Sequence, residues 1–336
     1  MKKILPAFRF IIFLSIGAGL FYLALQGTDL KKMGAELRQA NYSYIFISLI
    51  FAMIAFASRA YRWNMLIHPL GYKPKFINTF NALMFGYLAN LALPRLGEVS
   101  RAVALNRAEK IPLEAVIGTV IAERAIDVLM LLACIILALI IEFDRIYSFL
   151  YDNLFRPLLE KISVVIHSGL FAPAIVGIII ILFALVYVLR KKHFSSTLIK
   201  KINQFFKGIF QGLLTVIKLK SHTAFIFHTL LIWFLYWLVS YICFFSLDAT
   251  SSLDMKAGLF VLVVGGLGMT APVQGGIGTY HWLVMQGLVM FGIDTTDGLS
   301  YATLVHASQT LLVILVGTIS FLMLSVFNKK SSHAVA

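Results

Sequence analysis

The chain is divided into apolar runs that approach or exceed the length of a bilayer-spanning helix, and most of them carry no charge. Roughly 20 apolar residues cross a hydrocarbon core as helix, and a soluble core has no use for runs of that length. In lipid the backbone must satisfy its own polar groups, so such runs fold as helices. Residues 8–26, 44–66, 114–141, 170–189, 223–246 and 300–327 read as six full spans. The fold class is an all-α polytopic membrane protein, in keeping with 60% hydrophobic and only 13% charged residues among 336.

The net charge of +14 would suggest nucleic acid in a soluble protein. No nucleic-acid-binding motif accompanies it, so the expectation is basic cytoplasmic loops beside anionic headgroups. Residues 190–222 hold eight Lys/Arg and no acid, and the N-terminus, 59–75, 94–113 and the C-terminus are basic too. All five lie on the cytoplasmic side only if 76–106 leaves and returns on one side and 256–292 does so on the other. Both stretches therefore read as re-entrant hairpins, with both termini cytoplasmic. Residues 27–43 read as a short polar connection and 142–169 as a mixed-charge loop. In 198–219, Ile199, Ile202, Phe206, Ile209, Leu213 and Val216 share one helical face, which predicts an amphipathic helix lying on the cytoplasmic leaflet.

A weak internal repeat accompanies this topology. The span near 44 matches the one near 223, Pro94-x-x-Gly97 matches Pro272-x-x-Gly275, and the charged span from 117 matches the last span from about 300. Residues 1–165 and 166–336 then form two inverted halves of a single transmembrane domain, 1–336, each with three spans and a hairpin. Broken segments at corresponding positions of inverted halves point to a transport site near the midplane.

Charges inside apolar runs are expensive and face a partner or a wet cavity. Here they are Arg95, Glu98 and Arg101 after the Pro94-x-x-Gly97 break, and Glu123, Arg124 and Asp127 within the long apolar run 114–141. Glu123 and Asp127, four apart, share a helix face, and Arg124 can pair with Asp127. Two readings stand: a buried ion-pair lock between helices, or a network lining a cavity where arginines hold a phosphate bidentately. Gly275, Gly276 and Gly278 permit a tight turn before a helix start that could bind an anion or simply pack closely. His281 and His306 read as packed histidines, and Cys134 and Cys243 as small core residues. No metal-ligand spacing, cofactor motif or nucleophile with an adjacent base is visible, so no enzyme activity, cofactor or metal is expected.

Asn90-Leu-Ala-Leu-Pro94-Arg-Leu-Gly97-Glu98-x-x-Arg101, Glu123-Arg124-x-x-Asp127 and Pro272-x-x-Gly-Gly-Ile-Gly278 resemble the flippase-like membrane family, also known as the lysylphosphatidylglycerol synthase transmembrane region or the UPF0104 group. The resemblance covers nearly the whole chain. It implies a bacterial inner-membrane protein that moves or handles a polar lipid, with Arg95, Glu98, Arg101, Arg124, Asp127, Gly275, Gly276 and Gly278 as motif positions. The family's soluble aminoacyl-transferase domain has no counterpart in this sequence, so synthase activity does not carry over. His281 stands where the family often has an acid, which bears on the choice of headgroup. The leading expectation is a lipid flippase with a charged cavity between the two hairpins. The alternatives are a membrane-embedded transferase acting on a lipid-linked substrate and a scaffold for a lipid-modifying partner enzyme. The sequence specifies no lipid species, direction, coupling ion or oligomeric state.

Overall fold

The computed structural model describes residues 4–94, 96–152 and 221–333, together with Arg156, Glu160 and Leu219; side chains are described from Leu14 to Ser325 within that set, Leu150 excepted. Arg95, the expected span 170–189, the basic loop 190–218 and nearly all of the expected amphipathic helix 198–219 lie outside the described residues.

Every regular element among the described residues is helical. In chain order they are α1 (Ile4–Leu25), α2 (Leu30–Gln39), α3 (Tyr42–Ile67), α4 (Phe76–Ala92), α5 (Leu96–Glu109), α6 (Leu113–Ile141) and α7 (Phe143–Leu150). After the undescribed stretch come α8 (His222–Ile242), α9 (Met255–Thr270), α10 (Thr279–Val289) and α11 (Thr295–His333). Four segments among the described residues are long and apolar enough to cross a membrane: Tyr42–Leu70, Leu113–Ile141, His222–Ser246 and Thr295–Ser325. Their outer faces stay apolar, as at Ile136, Ile140, Leu311, Leu315 and Leu322. Exposed apolar side chains repeated along helices of this length belong against lipid rather than water.

The stretch 27–43 is not the plain connection expected. It contains α2, which Asp29 caps by accepting from the N–H groups of Lys31 and Lys32 at 2.8 and 3.1 Å. Met33 and Leu37 turn one face of α2 onto the core, a periodicity that its lysines obscure in sequence. Part of the expected loop 142–169 is likewise helical, as α7.

The chain forms two compact units. The larger comprises residues 1–138 and 212–336; the smaller comprises 139–211 and includes α7, along which Phe143, Tyr147 and Tyr151 stack. The larger unit has two main apolar cores. One gathers Ala60, Trp63, Ala82, Leu83, Ala102, Leu105, Val116 and Val120 around α3, α4, α5 and α6. The other gathers Phe244, Ala257, Val261, Val284, Leu288, Tyr301 and Ala302 around α9, α10 and α11.

Each core holds one helical hairpin. In the first, α4 and α5 cross at two glycines: a Cβ on Gly97 would strike the Gly86 carbonyl and the Asn90 amide. Asn90 Oδ1 also accepts the Gly97 N–H at 2.7 Å, closing the turn at Pro94. In the second, Gly268 of α9 lies against the Tyr280 backbone of α10, and Thr279 Oγ1 donates to the Gly268 carbonyl at 2.7 Å. The two turns meet where Gly275 abuts Leu91 of α4.

Candidate functional site

Arg59 and Arg62 are three apart on α3, and Glu123 and Asp127 are four apart on α6, so each pair shares one helix face. The two faces meet. Arg59 Nη2 donates to Glu123 Oε1 at 2.6 Å and to Asp127 Oδ2 at 2.7 Å. Arg62 Nη2 donates to Asp127 Oδ1 at 2.6 Å and lies 3.5 Å from Glu123 Oε1. From α5, Arg101 Nη1 donates to the other Glu123 oxygen at 2.7 Å. Arg124 Nε stands 3.3 Å from Glu98 Oε1, and its Nη1 is 3.7 Å from Asp127.

The neighbours of this cluster fix its geometry. From α8, the Tyr236 hydroxyl accepts from Arg59 Nη1 at 3.2 Å, and Thr229 Oγ1 accepts from Arg62 Nη1 at 3.4 Å. The Arg101 guanidinium lies 4.7 Å from the Trp63 ring centroid, within cation–π range. Trp63 is held in turn by a 2.9 Å bond from its Nε1 to Thr119 Oγ1.

The arrangement has a buried interior and an accessible edge. The Arg62 and Glu123 side chains are fully buried, whereas Glu98 and Arg124 are 32% and 38% exposed. Among the described residues four guanidiniums face three carboxylates, leaving one positive charge in excess. Arg101 Nε and Nη2 are buried without a hydrogen-bond partner, as are Arg59 Nε and Arg62 Nε. Buried donors left unpaired cost stability, and a cluster that tolerates several of them is suited to accepting an anion's oxygens.

The structure thus brings together Glu98, Arg101, Glu123, Arg124 and Asp127, five of the six charged residues singled out in sequence; Arg95 is outside the described residues. It places them at the crossing of α3, α5 and α6, not between the two hairpins as expected. Among the described residues, the second hairpin contributes to none of the cluster's ion pairs. Arg59 and Arg62 correct the sequence reading most. By sequence they belong to the basic stretch 59–75 expected on the cytoplasmic side, yet they lie within α3, buried, as principal partners of the carboxylates. Two arginines at helical spacing inside an apolar run, opposite two carboxylates at helical spacing in another, were the available signal.

The second hairpin forms a separate, uncharged site. Gly275, Gly276 and Gly278, beyond Pro272, have φ of 56°, 77° and 84°, a region that side-chain-bearing residues rarely adopt. Gly278 also meets Gly17 of α1 so closely that any Cβ would strike the Gly17 carbonyl. His281 and His306 lie beside this turn, both buried, with ring centroids 4.8 Å apart.

The family model described as the lysylphosphatidylglycerol synthase TM region matches residues 10–317. A UPF0104 membrane protein of Methanocaldococcus jannaschii is 31% identical over 112 residues, which is 32% of this chain and 33% of that protein. The chain thus aligns with about a third of that relative's length. No solved structure matches. With the family model spanning nearly all of the chain and the helices apolar enough to cross a bilayer several times, this protein belongs to the lysylphosphatidylglycerol synthase TM region family of multi-pass membrane proteins.

Proposed function

We propose that the protein transports a polar phospholipid between membrane leaflets and that the Arg/Glu/Asp cluster binds the lipid's phosphate. The observation that carries this reading is the excess guanidinium together with the unpaired Arg101 donors, buried beside an accessible Glu98–Arg124 edge. Arginine binds phosphate oxygens through paired N–H groups, and such bonds strengthen in a desolvated setting. Arg124 meets the headgroup at the edge, Arg101 receives it inside, and Arg95 stands by sequence at the same turn. Glu98, Glu123 and Asp127 neutralise the arginines between substrates. The acyl tails stay in the bilayer throughout. In this reading α4–α5 and α9–α10 are re-entrant, the two halves are inverted, both termini are cytoplasmic and the membrane is the cell's inner membrane. The protein performs no bond-making chemistry itself.

A second reading is favoured by the pairing of Arg59 and Arg62 with Glu123 and Asp127, which leaves both carboxylates saturated. On that reading the cluster only locks α3 to α6. Arg124 separates the two, because it sits at the edge and holds longer contacts. The test is lipid movement in proteoliposomes carrying headgroup-labelled phospholipids of different charge. Transport of phosphate-bearing lipids by the native protein, abolished in a folded Arg124→Gln variant, is the expected result. Unchanged transport in Arg124→Gln and in Arg101→Gln refutes the phosphate site. No movement of any lipid, with or without an imposed ion gradient, refutes the transporter.

A further inference from the structure

In the first hairpin an ion pair joins the second arm to the following long helix, through Arg101 on α5 and Glu123 on α6. The second hairpin has the same joint in another chemistry: His281 near the start of α10 meets His306 on α11, with ring planes 66° apart. Aligning the charged span from 117 with the last span from 300 places Glu123 on His306. We propose that His281 and His306 form a proton-binding site that couples a proton gradient to movement of the second hairpin. The inference deepens the lipid-transport reading and rests on it for its consequence, though not for the proton site itself.

The hydrogen bonds assign both tautomers. The Gly278 N–H points at His281 Nδ1 from 3.4 Å, so that nitrogen accepts and Nε2 carries the hydrogen. His306 Nε2 lies 2.8 Å from the Gly275 carbonyl, which can only accept, so Nε2 carries the hydrogen and Nδ1 keeps its lone pair. Each neutral ring thus offers one basic nitrogen. An arriving proton forms a single N–H bond at one of these two atoms and breaks no covalent bond. At His281 Nδ1 it sets a donor against the Gly278 N–H and releases that end of the turn. At His306 Nδ1 it strengthens the grip on Gly275. Two imidazolium ions this close in a low-dielectric setting repel strongly, so the pair holds one proton.

The surroundings leave the pair to itself. α10 contributes Tyr280, whose ring is 5.1 Å from His306 and 6.1 Å from His281. α1 presents Phe21 to His281 at 5.0 Å, while its neighbour Tyr22 is exposed. On α9 the titratable residue is Lys256, about three turns from Gly268 at the hairpin crossing. On α2, Lys32 and Glu36 are engaged with each other and Lys32 with Asp297, more than two turns before His306. Tyr87 of α4 and the arginines of α3 and α5 belong to the charged cluster. Among the described residues no carboxylate, lysine or arginine pairs with either histidine. The turn they grip also touches Leu91, one helical turn beyond Tyr87, whose ring centroid is 6.0 Å from the Arg59 guanidinium. A shift of the second turn is thereby passed to the phosphate site through α4.

The deciding experiment has two arms on the full-length protein in lipid. In the first, nitrogen-15 histidine spectra are recorded against pH for the native chain and for His306→Gln. The expected result is a single proton-uptake step shared by two imidazoles, with the His281 step moved once His306 is replaced. Two rings that titrate independently, or that stay neutral until the protein unfolds, overturn the proton site whatever the transport result. In the second arm, proteoliposomes carry a one-unit pH difference and a labelled anionic phospholipid. One proton per lipid gives roughly tenfold unequal leaflets, and His306→Gln removes the inequality. Leaflets that stay equal while lipid moves overturn the coupling. A shared titration step with no lipid movement upholds the proton site and refutes lipid transport instead.

Discussion

Glu123 is the fully buried carboxylate of the charged cluster, with three arginine partners, and its replacement by glutamine tests the arithmetic directly. The side chain is fully buried and accepts from Arg59 at 2.6 Å and Arg101 at 2.7 Å, with Arg62 at 3.5 Å. An amide keeps the shape but removes the charge, so the local excess rises from one positive charge to two. Breaking a buried pair by removing one partner costs about 3–5 kcal/mol, because the other charge is left uncompensated. With two short bonds weakened at once, Glu123→Gln should sit at the upper end of that range. Arg101→Met is the contrasting change. It leaves Glu123 with two arginines, places an apolar chain over Trp63 and brings arginines and carboxylates into equal number, so it should cost only about 1–2 kcal/mol. Combined, the two should cost less than their sum by about 1–3 kcal/mol, since they share one interaction. The assay is denaturant unfolding in micelles, followed by thiol labelling of Cys243, which is buried in the fold. If Arg101→Met costs as much as Glu123→Gln, or if the two costs simply add, the idea of a positively overcharged cluster is wrong.

Other expectations follow from single contacts. Gly97→Ala places a Cβ on the Gly86 carbonyl and the Asn90 amide, both rigidly held; it should prevent the first hairpin from closing and sharply lower the yield of folded protein in a detergent size-exclusion assay. Tyr236→Phe removes one 3.2 Å bond to Arg59, and a loss of about 1–2 kcal/mol in the same unfolding assay, with helicity by circular dichroism unchanged, is expected. Asp294 precedes α11 and accepts the Thr296 N–H at 2.9 Å; Asp294→Ala should cost about 1 kcal/mol near neutral pH. That backbone bond holds the Asp294 carboxyl below its ordinary value of 3.8. Its stabilisation is therefore present above that value and lost as pH falls through the lower folded one, so the alanine variant should show a shallower acid limb when stability is measured against pH.

Much of this architecture was legible in sequence, because length and hydropathy alone define a membrane helix. The helices over 42–67, 113–141 and 222–242 fall within a few residues of the apolar runs that predicted them, and those over 76–92 and 255–270 begin within a residue of the two stretches read as hairpins. Helix α2 was not legible as helix, since five charged or amide side chains dilute a face that only tertiary contact with the core reveals. The charged cluster was half legible. Glu123, Arg124 and Asp127 stood out because they interrupt an uncharged run, and Glu98 and Arg101 because they follow a Pro/Gly break. Arg59 and Arg62 did not, because charges toward the end of an apolar run are ordinarily where a span leaves the membrane. Tyr236 and Thr229 give no signal of their own in a helix already rich in aromatic and hydroxyl groups; only the crossing of α8 with α3 identifies them.

Relocating two arginines changes the topological argument as well as the site. The basic character of residues 59–75 came from Arg59, Arg62, Lys73 and Lys75. With both arginines committed to carboxylates inside the helix bundle, only Lys73 and Lys75 remain to mark the α3–α4 connection, and it is charge in loops that orients a membrane protein. The two lysines still follow the end of α3, so the connection keeps its sign with a weaker bias. The carboxylates gain what the loop loses. Without Arg59 and Arg62, Glu123 and Asp127 would have only Arg101 and Arg124 beside them among the described residues, and Arg124 is shared with Glu98. The α3 arginines therefore carry most of the pairing that holds α3 to α6. This leaves Arg101, with two unpaired donors, and Arg124, at the exposed edge, as the residues able to change partner without taking that joint apart, as the proposed phosphate site requires.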